Sequence, residues 1–163
     1  MRLETTIDGS ALPPALTRMP TDDFGAIRFA GYAALFDTPD AGRDVIRKGA
    51  FARSLAQRRL SGEAVPLLWQ HRPDQRIGWV ERITEDDRGL RIVARIDHPN
   101  SMAAKLLRKG SLSGLSFGYR TGASSSTRLE DGGEGRELQV VDLFEVSLVT
   151  RPMQHGARAH FVT

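Results

Sequence analysis

The sequence predicts one mainly β domain with a few short helices packed against it, and three observations carry that expectation. Apolar, strand-like stretches recur from Phe24 to Val162, separated by polar segments rich in turn residues. Only two segments, near residues 49–59 and 102–109, space their apolar residues as a helix does. At 163 residues, 40% of them hydrophobic and none of them cysteine, the chain can bury roughly two-thirds of its extended surface in one core without a disulfide or a cysteine-bound metal.

Met1 to Asp23 carries Pro13, Pro14 and Pro20 among scattered polar residues. It is expected to be an extended or partly disordered lead, with a short edge strand near Arg2 to Ile7. The domain proper is expected over residues 24–163. Phe24 to Phe36 reads as a strand that ends at the turn Asp37-Thr38-Pro39-Asp40, with Gly31 marking a bulge or bend. Val45 and Ile46 read as a short strand. From about Gly49 to Arg59, Phe51 and Leu55 share one helical face while Arg53, Gln57 and Arg58 face water, and Gly62 ends the helix.

Ala64 to Trp69 is a short apolar run that stops at Gln70-His71. Arg76 to Glu85, with Ile77, Trp79 and Ile83 inward after a register break, forms a hairpin with Leu90 to Ile96, whose positions 90, 92, 94 and 96 keep period two. A second helix follows Asp97-His98-Pro99, capped near Asp97 or His98, with Met102, Ala103, Leu106 and Leu107 on its apolar side and Gly110 as its stop. Leu112 to Arg120 and Leu138 to Thr150 read as strands. Between them Thr121 to Glu137, small and charged without apolar period, is expected to be a flexible surface loop. Ala157 to Val162 closes the chain as extended structure.

Composition excludes several functions. Lys and Arg number 23 against 20 Asp and Glu, a net charge of +3, and no run of five basic residues occurs. Phosphate-backbone affinity needs a clustered basic face, so no specific nucleic-acid binding is expected. The start MRLETTIDGS lacks an apolar signal segment and no eighteen consecutive residues are apolar, so a soluble intracellular protein with no membrane partner is expected. His155 and His160 have no carboxylate at metal-ligand spacing, and neither a metal nor another cofactor is expected.

The stretch that invites chemistry is Lys109 to Arg120, KGSLSGLSFGYR, where serines and glycines interrupt an apolar run. Ser111, Ser113 and Ser116 are nucleophile candidates. Ser116, flanked by Leu115 and Phe117, points away from both in a strand and so faces a cleft with little rotational freedom. The glycines can equally serve close packing. No nucleophile elbow of the α/β-hydrolase kind is expected at Ser116. His71, just past a buried run, is the leading base candidate, ahead of His98 at a helix start. Glu145 lies within an apolar run, where a carboxylate is costly unless exposed or paired, and it is the candidate orienter of that base. Asp142 is the alternative, three residues away and hence on the opposite side of a regular strand. Arg151, past the last long strand, is a candidate oxyanion partner.

Five stretches together carry a family resemblance: GYAALFD (31–37), RKGAF (47–51), VPLLWQHRPDQRIGWV (65–80), LSGLSFGYR (112–120) and DLFEVSLVTRPMQHGARA (142–159). The chain resembles the tailed-phage prohead proteases, including those of phage-like gene transfer particles, which are distantly similar to the herpesvirus assemblins. The resemblance implies a closed or partly closed, mostly antiparallel β-barrel with helices outside it. It places the family's serine on Ser116, its histidine on His71 and an acidic third member on Glu145. It implies a serine endopeptidase that cleaves the N-terminal segment of the major capsid protein, a scaffold protein, or both, in the host cytoplasm within an assembling procapsid. A homodimer is among the assemblies it implies. Met153-Gln154-His155 departs from the small residue and Asn-Pro usual there.

Overall fold

The computed structural model describes residues 25–161, so the lead expected over residues 1–23 lies outside the described residues. In chain order the elements are β1 (Ile27–Leu35), β2 (Asp44–Ile46), α1 (Ala52–Ser61), β3 (Val65–Trp69), β4 (Arg72–Glu85), β5 (Gly89–Ile96), α2 (Met102–Arg108), β6 (Gly114–Arg128), β7 (Glu134–Val149) and β8 (Ala159–Phe161). Ten elements make one mixed sheet with two helices against it. Strand neighbours run β2-β7-β3-β4-β5-β1-β8, and β6 pairs with β7. All pairings are antiparallel except β2 with β7 and β3 with β7.

The sheet curls until its ends meet. The segment before β8 lies between β1 and the start of β6: Gly114 bridges Arg158, Leu115 N–H donates to Ala157 O at 2.8 Å, and Ala159 N–H donates to Ser113 O at 2.8 Å. That closure requires a backbone without side chain at Gly31, because a Cβ there would stand 2.1 Å from Arg158 O. Gly31 thus marks close approach, and the bulge in β1 falls just after it, between Tyr32 and Ala34.

Inside the curl, Phe29, Phe51, Leu55, Leu67, Ile83, Ile92 and Leu115 are fully buried, each worth about 1.5–3 kcal/mol against exposure. In β5, Leu90, Ile92, Ala94 and Ile96 all face inward as period two requires. In β4 the inward residues are Val80 and Ile83. A register shift between Val80 and Arg82 lets Val80 and Ile83, three apart, share the inner face; Trp79, next to Val80, lies on the other face, half-buried under the Arg76 guanidinium at 4.5 Å from its ring centre.

Both helices depart in detail from the expectation. Arg58 does not face water; its guanidinium donates to Leu143 O at 2.6 Å and to Ala64 O at 3.3 Å, tying α1 to β7. The first turn of α1 has no side-chain cap of its own. Glu85, buried at the end of β4, instead accepts the Phe51 N–H at 2.9 Å. In α2 the cap is Ser101, which accepts from Ala104 N–H, and Ala103, Ala104 and Leu107 form the buried side while Met102 is exposed.

Residues 121–137 are not a loop. β6 and β7 stay paired from Gly114–Val149 out to Arg128–Glu134 and turn over residues 129–133. Beyond Leu138 on β7 and Arg120 on β6 most side chains of these arms face water, so no apolar alternation marks them. Polar contacts hold them in place of a core. Arg136 donates twice to Asp44, at 2.9 and 2.6 Å, and Tyr119 Oη–H donates to Asp44 Oδ2 at 2.9 Å. Above all the Arg136 bonds hold the Asp44 carboxyl below the usual carboxylate range.

A group whose folded pKa is depressed adds stability above its unfolded pKa and loses it as pH falls through the folded value. Asp44→Asn is therefore expected to lower Tm at neutral pH by about 5 °C, following the loss of about 1–2 kcal/mol of charge-assisted hydrogen bonding. The deficit should shrink as pH falls below about 4. Thermal unfolding of both chains across that range checks it, and a pH-independent deficit would contradict the assignment.

Candidate active site

The polar groups of interest meet where β6, β7 and the β3–β4 turn converge. Ser116 pairs across the ladder with Ser147, and Gly118 with Glu145. Both pairs therefore share one face of the sheet, the face opposite to Leu115, Phe117 and Val146. Strand β3 flanks β7 in parallel on its other side, with Leu68 beside Ser147 and Trp69 beside Leu148. The histidine arrives at this spot because β3 ends there.

Gln70 and His71 are the whole connection between β3 and β4, since Trp69 already pairs with Arg72. Both have positive φ, 49° and 60°, as a two-residue type I′ hairpin turn demands. Glycine or asparagine normally occupies such sites, and each residue held there without them costs about 1–3 kcal/mol. The surrounding structure holds them by hydrogen bonds. Gln70 N–H donates to Leu148 O at 3.0 Å, Thr150 N–H donates to Gln70 Oε1 at 3.2 Å, and His71 N–H donates to Ser147 Oγ at 3.1 Å.

From this turn the His71 ring reaches Glu145, and Nδ1 hydrogen-bonds to Oε1. A carboxylate accepts, so Nδ1 carries a proton, and in the neutral ring Nε2 is left as an acceptor. The other carboxylate oxygen, Oε2, accepts from Ser147 Oγ–H at 2.7 Å. The Glu145 side chain is only 10% exposed while that of His71 is 41% exposed; the charge is sheltered and the base is open to solvent. Ser116 is buried to 5%. Among the described residues no hydrogen bond joins the Ser116 hydroxyl to His71.

Asp142 does not reach His71. Phe144 is the extra residue of a bulge, because Gly118 pairs with Glu145 while Tyr119 pairs with Leu143. The strand is thus irregular where simple alternation was assumed, and Asp142 is held instead by Arg53 of α1 at 3.1 Å. Ser111 is exposed outside the strands, and the backbone of Ser113 serves the barrel closure. His98, His155, His160 and Arg151 are exposed, and Arg151 follows Thr150, whose N–H is bonded to Gln70 in the turn that carries His71. Among the described residues no three His, Asp or Glu side chains form a metal-binding group.

Residues 114–118 spell G-x-S-x-G. Its structural context is nonetheless missing: Ser116 lies inside a continuous strand, and neither Gly114 nor Gly118 has a positive φ. Sequence reasoning passed over Ser147, and it read the glycines beside Ser116 as room for an oxyanion without connecting Gly118 to Glu145. An apolar run with Glu and Ser two apart, E-V-S, is the signal for Ser147, since period two puts both side chains on one face. Gly118 is where the carboxylate needs room, because a Cβ there would lie 2.6 Å from Glu145 Oε1 and 2.9 Å from Cγ.

Gly118→Ala is accordingly expected to push the Glu145 carboxylate off His71. We expect a fall in Tm of about 5 °C for an overpacking penalty of about 1–3 kcal/mol. Loss of the downfield His71 Nδ1 proton resonance should accompany it. An unchanged resonance would show that the carboxylate tolerates the methyl group.

The described geometry has relatives. A profile of the family described as Caudovirus prohead serine protease matches residues 16–163. The chain is similar to the prohead protease of Enterobacteria phage HK97, with 28% identity over 133 residues, which cover 79% of this chain and 57% of that protein. It thus spans little more than half the length of that curated relative. Among solved structures it is similar to the varicella-zoster virus protease, with TM-score 0.56 and 18% identity over 83% of this chain and 64% of the other. It is also similar to the Kaposi's sarcoma-associated herpesvirus protease in complex with a hexapeptide phosphonate inhibitor, with TM-score 0.52 and 14% identity over 85% and 65%. At these identities the two herpesvirus structures speak to the fold, a curled mostly β sheet with two helices.

Proposed function

The chain belongs to the Caudovirus prohead serine protease family, and on that premise we propose that it is a serine endopeptidase whose nucleophile is Ser116. His71 takes the serine proton through Nε2 and later returns it to the leaving amine. Glu145 holds His71 in the tautomer that leaves Nε2 free. The acyl-enzyme formed on Ser116 Oγ is then hydrolysed by water, which His71 activates in the same way. The single observation that carries this reading is the His71–Glu145 hydrogen bond, set on the same sheet face as Ser116. Apo catalytic sites commonly leave the nucleophile–base bond loose, and it tightens with substrate bound.

Family membership points to capsid maturation as the setting. The substrate we propose is the N-terminal segment of a major capsid protein, a scaffold protein, or both, cleaved within an assembling procapsid in the host cytoplasm. Residues 24–163 act as one protease domain in that process.

A fluorophosphonate that reacts only with activated serines tests the chemistry without a known substrate. The expected outcome is a single labelled peptide containing Ser116, with labelling abolished in Ser116→Ala and reduced by about 10²-fold or more in His71→Ala. Ser113→Ala should label as the unsubstituted chain does. Absence of labelling in a folded, unsubstituted chain would favour a catalytically inactive assembly module of the same fold.

A further inference from the structure

We infer that Ser147 is a positioning residue of this site, a fourth member that couples the backbone of the base-bearing turn to the carboxylate that orients the base. The inference rests on the reading of His71 as the base. Three observations carry it. Ser147 has no exposed surface, so its hydroxyl has no recourse to water and must bond within the protein. It does so twice, accepting the His71 N–H at 3.1 Å and donating to Glu145 Oε2 at 2.7 Å. These two partners are the backbone and the orienting group of one residue, His71, whose ring closes the loop through Nδ1 to Glu145 Oε1.

The ring so formed has a direction. The Ser147 proton goes to Glu145, because an ionised carboxylate can only accept and the His71 backbone N–H can only donate. That donation occupies Oε2 and leaves Oε1 as the acceptor for Nδ1–H. A hydroxyl is the group that serves here, since the site needs one acceptor and one donor on the same atom. Alanine would leave the His71 N–H and Oε2 both without this partner in a buried spot. Ser147 also stands directly across the ladder from Ser116 and beside Leu68 of β3. The same residue therefore ties together the strand of the proposed nucleophile, the turn of the base and the strand of the orienter.

Ser147 is fully buried and its hydroxyl bonds to the His71 backbone and to Glu145, so its effect must pass through His71. The test uses the full chain labelled with nitrogen-15 in histidine, with Ser116→Ala present to remove any self-cleavage. The His71 signals are assigned by their absence from His71→Gln. At alkaline pH the ring nitrogens of Ser116→Ala should report the Nδ1–H tautomer. Adding Ser147→Ala should convert a substantial fraction to the Nε2–H tautomer and broaden the Nδ1 proton by exchange with solvent. Adding Ser147→Thr, which keeps the hydroxyl, should restore it.

With Ser116 present, Ser147→Ala should slow fluorophosphonate labelling by about 10–100-fold. The loss should lie in the maximal rate and not in the probe concentration at half-saturation, and Ser147→Thr should recover most of it. Should Ser147→Ala fail to fold, Ser147→Cys, close in volume and only a weak donor, provides the comparison. An unchanged tautomer and labelling rate in a folded Ser147→Ala chain would overturn the inference, whatever Ser116 does. A lost Nδ1–H tautomer in a protein whose labelling does not depend on Ser116 would uphold the coupling and overturn the protease reading.

Discussion

A carboxylate in the middle of a buried strand sets the terms for everything around it. Glu145 sits on β7 with 8% of its surface exposed, and an ionised group in that position is tolerated only if its lone pairs are met by donors. The structure meets them with one ring N–H and one hydroxyl. Supplying the ring means bringing His71 to the tip of a turn with two consecutive left-handed residues. Supplying the hydroxyl means placing Ser147 two residues along the same strand. Clearing the volume means a glycine at position 118, directly across the ladder. Each of these is unfavourable or unusual in isolation, and each is accounted for by the carboxylate.

β7 can host this arrangement because it pairs with three other strands, β6 on one side and β2 and β3 at the two ends of the other. It runs for 16 residues. Strands held on both sides have little freedom to twist or slip, so side chains projecting from them keep their spacing. The curl of the sheet adds a second restraint. The first residue of β6 is bonded to the segment before β8, two positions before Ser116, so the serine strand is anchored at its origin and not only along its length. The bulge at Phe144 ends the regular ladder next to Glu145, as bulges beside functional groups commonly do.

Much of this was legible in the residues. Leu90 to Ile96 declared its inner face by strict alternation, and the Phe51–Leu55 pair declared α1, because buried faces impose a period. The β6 arm from Thr121 and the β7 arm before Leu138 escaped detection for the converse reason: largely exposed, they need no period. Trp79 was misplaced because a single extra residue between Val80 and Arg82 puts it on the opposite alternation from Ile83, and nothing in the local composition announces it. The same failure affected the parity argument for Asp142 and Glu145. His71, Ser116 and Glu145 could be named as candidates from residue type, neighbours and family resemblance. Their convergence could not, since it depends on β3 and β7 running in parallel, a pairing between segments some 80 positions apart. Ser147 was invisible as a site residue because a serine in an apolar strand reads as a small core residue until its partners are seen.

The two-residue connection at Gln70-His71 has a consequence for how such chains can vary in length. A turn of that size fixes the register of β3 against β4, and one inserted residue would either slip the pairing or move the imidazole off β7. The tip carrying the histidine is therefore closed to insertion and deletion, although it is a surface turn and surface turns are ordinarily where length changes accumulate. The outer end of the β6–β7 hairpin, residues 129–133, carries no such load. Length changes in this fold should accordingly collect there, some ten residues from the site along either strand, while the β3–β4 turn keeps its length.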